Sequence, residues 1–196
     1  QGAVYQTTDG GVTWVRRVIT QVITIYAVSF QDKNTGFIIG ELGTIYRTTD
    51  GGTTWFRQVS GIEGVKAPAL LGIGFVDGNT GMVVGEFGTI LRTTNRGANW
   101  TPMPQFTRAF LRAVRFTDES NGFVVGDGGM GMVTNDGGMT WTERGSVSTL
   151  WFSDIQFVDS KRGFIAGSEG MLVRTIDGGA TWTYQVGGPR IPLYGV

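Results

Sequence analysis

Three features of the 196-residue sequence predict an all-β fold of repeated four-stranded antiparallel blades. The first is a box, Thr-x-Asp-x-Gly-x-x-Trp, present at Thr7–Trp14, Thr48–Trp55, Thr93–Trp100, Thr134–Trp141 and Thr175–Trp182, with Asn95 replacing the aspartate in the third copy. The second is its spacing. The tryptophans recur at intervals of about 41, 45, 41 and 41 residues, the length of one β-propeller blade. The third is texture: short β-branched and aromatic runs, 33 glycines, and no segment with a helical period.

Within one period the order is regular. After Trp14, Ile25–Phe30 reads as a first strand and Asp32–Gly36 as turn chemistry. Phe37–Ile39 is a second strand. Gly40-Glu41-Leu42-Gly43 forms a tight hairpin into Thr44–Thr48, the box makes the next turn, and Thr54–Gln58 is the fourth strand. The other copies follow suit, with first strands at Leu70–Phe75, Leu111–Phe116 and Phe152–Phe157. Extra residues in the second interval fall around Gly61–Pro68 and predict a surface-loop insertion.

The expected divisions are outer strands of an incomplete blade at 1–17, blades at 18–60, 61–104, 105–145 and 146–187, and the start of a further or closing blade at 188–196. Leu193–Val196 aligns with the opening of a first strand. Either five blades close a ring, or this is a segment of a six- to eight-bladed one. The segment is favoured, since a closing blade short of one strand leaves an open edge.

Composition removes several functions. Sixteen basic and sixteen acidic residues cancel, so no overall field draws the chain to nucleic acid or an anionic membrane. With neither cysteine nor histidine, there are no disulfides, no thiol catalysis and neither of the usual zinc ligands. There is no apolar run of membrane-spanning length, no leader and no initiator methionine before Gln1. These features predict a soluble chain that is processed, trimmed or partial, without membrane insertion.

The box reads as a folding device. Asp9, Asp50, Asn95, Asp136 and Asp177 accept backbone N–H bonds, the glycines supply positive φ, and Trp14, Trp55, Trp100, Trp141 and Trp182 pack back on neighbouring strands. One carboxylate per box is too few for a calcium site. Function is therefore sought where the blades differ. Tyr26, Leu71, Arg112, Ser153 and Tyr194 are equivalent, as are Ser29, Gly74, Arg115 and Gln156. The third blade is the basic one: Arg108, Arg112 and Arg115 lie on its first strand and approach, either paired internally, with Asp154 at hand, or as a partner-binding cluster. Strand alternation puts Arg112 and Arg115 on opposite faces. Glu41, Glu86, Asp127 and, one place on, Glu169 read as solvated hairpin tips or as an acidic rim for cations or a basic peptide, and Arg47, Arg92 and Arg174 as structural, shielding aromatic faces or pairing with acids. Trp151, outside the box series, is a filler between blades or an interface anchor.

The five boxes match the Asp-box, or BNR repeat, of sialidases, glycoside hydrolases, sortilin-type receptors and photosystem II stability/assembly factors. Phe37–Trp55 and Met82–Trp100 resemble the blades of the photosystem II assembly-factor-like family. That resemblance implies a non-enzymatic, extracytoplasmic scaffold in the periplasm, thylakoid lumen or secreted space. It would hold partner proteins within a larger complex, use no cofactor or metal, and grip its client through an arginine patch. The alternative is a carbohydrate-active or carbohydrate-binding propeller. Arg190-Ile191-Pro192 resembles the arginine element of sialidases, but Pro189 stands where an aromatic is usual and every box precedes it. Arg190 therefore joins Arg108, Arg112, Arg115 and Trp151 as a partner-binding candidate, and no catalytic residue is assigned.

Overall fold

The computed structural model describes residues 2–19, 23–144, 149–185 and 190–196. The expected blade limits at 145/146 and 187/188, and Pro189, lie outside them. The first hairpin pairs β1 (Ala3–Gln6) with β2 (Val15–Val18) across the first box. Four antiparallel meanders follow: β3 (Ile25–Phe30), β4 (Gly36–Gly40), β5 (Ile45–Thr48) and β6 (Phe56–Gln58); β7 (Leu70–Phe75), β8 (Gly81–Gly85), β9 (Ile90–Thr93) and β10 (Thr101–Pro102). The third is β11 (Leu111–Phe116), β12 (Gly122–Gly126), β13 (Gly131–Thr134) and β14 (Thr142–Arg144). The last is β15 (Phe152–Phe157), β16 (Gly163–Gly167), β17 (Leu172–Thr175) and β18 (Thr183–Tyr184).

These sheets are propeller blades. Their first strands pack side by side in chain order, β3 on β7, β7 on β11 and β11 on β15. Three hydrophobic clusters fill the seams between blades. In the first seam, Phe37 and Ile39 of one blade meet Leu70, Ile73 and Trp100 of the next. Every second strand is fully or almost fully buried, as expected for a strand with neighbours on both edges and both faces.

The box turns are held by side chains. Thr48 Oγ1 donates to Asp50 Oδ1 at 2.8 Å and accepts the Gly52 N–H at 2.9 Å, while Asp50 takes the Thr54 N–H and hydroxyl at 2.9 and 2.6 Å. The threonine that opens the box is buried in all four blades, so its hydroxyl needs these partners. Asn95 keeps the bonds from Thr93 and Asn99. The box tryptophans of the four blades stand edge-on to aromatic rings, Trp55 to Phe30, Trp100 to Phe37 and Phe75, Trp141 to Phe116, and Trp182 to Phe123 and Phe157, whereas Trp14 of the first hairpin does not pack back as expected and is 57% exposed.

Candidate functional site

The first strand of every blade carries a β-bulge at its second residue. Pairing to the second strand slips between Ile25 and Ala27, Leu70 and Gly72, Leu111 and Ala113, and Phe152 and Asp154. A bulge adds a residue without a ladder partner and resets the alternation beyond it. Arg112 and Arg115 therefore do not part to opposite faces; both line one cavity of about 230 Å³ on the channel. Val114 turns to the preceding blade, while Arg112 and Arg115 both reach the following one, at Trp151 and at Asp154 and Gln156. The bulge residues Tyr26, Leu71, Arg112 and Ser153, with Tyr194, ring this cavity.

Arg112 is paired with Asp127 at the hairpin tip of its own blade, and its guanidinium lies over the Trp151 ring at 5.1 Å. Trp151 in turn faces Tyr194, with ring centroids 5.9 Å apart. Trp151 is thus the middle layer of a stack joining three successive blade openings. About a third of the Arg112 side chain remains accessible.

Arg115 spends its donors inside the protein. It gives Nη1 to the Val114 carbonyl at 2.9 Å, Nε to Gln156 at 3.0 Å and Nη2 to Asp154 at 3.5 Å. Asp154 also accepts the N–H groups of Ile155 and Val196. The C-terminal residues are docked by Leu193, whose N–H donates to Gly167 and whose carbonyl accepts the Ser153 hydroxyl. Arg108 and Arg190 are exposed, and neither has a hydrogen-bond or ion-pair partner among the described residues.

The hairpin acids are less free than solvated tips. Glu41 Oε2 accepts the Thr24 N–H and Glu86 Oε2 the Ala69 N–H, both at 3.0 Å. The backbone bond from Thr24 holds the Glu41 carboxyl below its usual range. Tyr26 is pushed up, first by partial burial and then by the charges of Glu41 and Glu86. In the third blade the shorter Asp127 takes Arg112 instead, and in the fourth the equivalent residue is Ser168, facing the Trp151 carbonyl. Arg47 lies 6.0 Å over Phe37, in the shielding role expected of it.

Sequence reasoning aligned Tyr26 and Tyr194 with Arg112 but did not place them on one cavity. The signal was present. Ile25, Val28 and Phe30, with their equivalents in the other blades, put apolar residues at positions 1, 4 and 6, a break of parity that only an inserted residue accommodates.

A family model described as the photosynthesis system II assembly factor YCF48 matches residues 17–109 and 105–183. No curated protein sequence matches. Among solved structures, a YCF48 bound to D1 peptide aligns with TM-score 0.57 at 18% identity, over 84% of this chain and 81% of that one. YCF48 from Cyanidioschyzon merolae aligns at 0.59 and 20% identity, over 95% and 79%. An ancestral GH74 enzyme aligns at 0.71 and 15% identity, over 95% of this chain but 29% of the enzyme. At these identities the structural likenesses speak for the fold.

Proposed function

This chain belongs to the family of the photosynthesis system II assembly factor YCF48, and on that premise we propose that it is a non-enzymatic scaffold. It holds a segment of a partner protein at the channel mouth, outside the cytoplasm, as an assembly factor or accessory subunit of a larger complex. The observation that carries the reading is the Arg112 stack. A bulge aims the Arg112 guanidinium, about a third of its side chain accessible, out of the blade, and Asp127 and Trp151 fix it there. A D1 peptide bound to a structurally similar YCF48 supports a peptide as the occupant. Arg115 supports the site from within, while Arg108 and Arg190 supply exposed positive charge.

The test is capture of partners under native conditions by the parent protein and by Arg112→Gln and Trp151→Ala, each checked for melting temperature. Selective loss of a defined protein partner at near-parental stability is expected. Equal capture by all three would sink the assignment of this site.

A carbohydrate propeller is the second reading, favoured by the GH74 likeness and by Tyr26 and Tyr194 on one cavity, with Trp151 packed against Tyr194. A glycosidase needs two free carboxyl groups across one site, whereas Glu41 and Glu86 are tied to backbone N–H groups and Asp127 and Asp154 to arginines, which supports the non-enzymatic reading. Turnover of a fluorogenic glycoside by the protein would reverse the order of the two.

A further inference from the structure

The second blade carries an aromatic side chain that the fold does not require. Its hairpin tip, Glu86–Gly88, places Phe87 at φ 54°, a left-handed backbone that disfavours bulky side chains. The same position is Gly128 in the third blade, where a Cβ would meet nothing within 4 Å, so packing asks for no side chain there. Phe87 is nevertheless 56% exposed.

It is also held still. Gln105 Nε2 donates to the Phe87 carbonyl at 2.6 Å, the Gly88 N–H donates to the Ala109 carbonyl at 2.7 Å, and Phe110 meets the Phe87 ring edge-on at 5.1 Å. A rigid, exposed aromatic is what an interface anchor needs, since little side-chain freedom remains to be lost on binding. Charge lies beside it. Arg108 sits between Thr107 and Ala109, whose carbonyls both lie against Gly88. Unlike Arg112 and Arg115, it has no acid partner among the described residues. The acid of this tip, Glu86, is turned to the Ala69 N–H.

We infer that Phe87 and Phe110, with Arg108, form a second subsite for an extended partner segment: one apolar side chain packs on the two rings and a carboxylate pairs with Arg108. The carboxylate belongs to an acidic residue or to the segment's own C-terminus. The inference rests on the scaffold reading and adds to it what the partner must carry.

The experiment is a selection of random peptides displayed on phage against the intact protein, followed by synthesis of the consensus and measurement of its Kd by fluorescence anisotropy. Expected is a consensus pairing an aromatic or large aliphatic residue with a nearby acid. Phe87→Gly and Phe87→Asn both suit the left-handed backbone, so each should keep the parental melting temperature or raise it while weakening the consensus peptide about tenfold or more. Arg108→Gln should weaken it comparably and reduce its salt dependence. Acidic peptides with no apolar position, bound equally by the Phe87 variants and lost in Arg112→Gln, would overturn the anchor and leave the scaffold standing. A selection that enriches no peptide would count against both.

Discussion

Asp50 and its equivalents use both carboxylate oxygens to close a turn, and this gives the protein a defined acid response. Bonds from the Thr54 hydroxyl and N–H hold the Asp50 carboxyl at about 2, and the corresponding threonines do the same for Asp9, Asp136 and Asp177. An unfolded aspartate titrates near about 3.9. With the folded value depressed, the stabilisation is complete above the unfolded pKa and disappears as pH falls through about 2. The melting temperature should therefore drop between about pH 4 and pH 2. Asn95 shows that a neutral amide accepts the same backbone bond, so replacing the four aspartates by asparagine should flatten that part of the curve. Coinciding parental and substituted curves would refute the assignment. At the channel, the Arg112–Trp151 stack should show a coupling of about 0.5–1 kcal/mol in a double-mutant cycle read by urea unfolding. No coupling would mean that the stack does not form in solution.

At the scale of the strand, the legible and the hidden parts of this molecule separate cleanly. The boxes repeat turn chemistry that acts locally, so turn, hairpin and strand order could be read from Thr48, Asp50 and Gly52 without knowing any neighbour. Side-chain direction beyond a bulge depends on pairing, and strict alternation therefore misdirected Arg115 relative to Arg112. Exposure at Phe87 was hidden for the same reason: whether a hairpin tip meets solvent depends on the next blade's approach, residues 105–110. Close blade contact also sets a requirement on β7. A Cβ at Gly74 would lie 2.6 Å from the Val114 carbonyl oxygen of the adjoining strand, whereas one at Gly131 would meet nothing within 4 Å. Gly74→Ala should cost about 1–3 kcal/mol by forcing β7 from β11, and Gly131→Ala should fall within about 0.5 kcal/mol of the parent. Thermal melts of the two variants, run side by side, decide it; equal costs would mean that the strands do not approach this closely.

Across the whole molecule, stability is distributed over seams between blades, and the seams are not equivalent. The fourth residue of each first strand faces the preceding blade: Ile73, Val114 and Ile155 are 4%, 0% and 0% exposed, whereas Val28 is 57% exposed. The hairpin of β1 and β2 does not cover the β3 face, which leaves Val28 and Phe30 open. Identical residues at equivalent positions allow a direct comparison. Val114→Ala removes packing from a full seam and should cost about 2 kcal/mol or more. Val28→Ala removes methyl groups that already meet solvent and should stay within about 0.5 kcal/mol. Urea unfolding of the 196-residue chain at low concentration measures both. Should Val28→Ala prove as costly as Val114→Ala, the β3 face is covered in solution. Repeating the unfolding at higher concentration then identifies the cover, because a second copy makes the midpoint depend on concentration and an intramolecular contact does not.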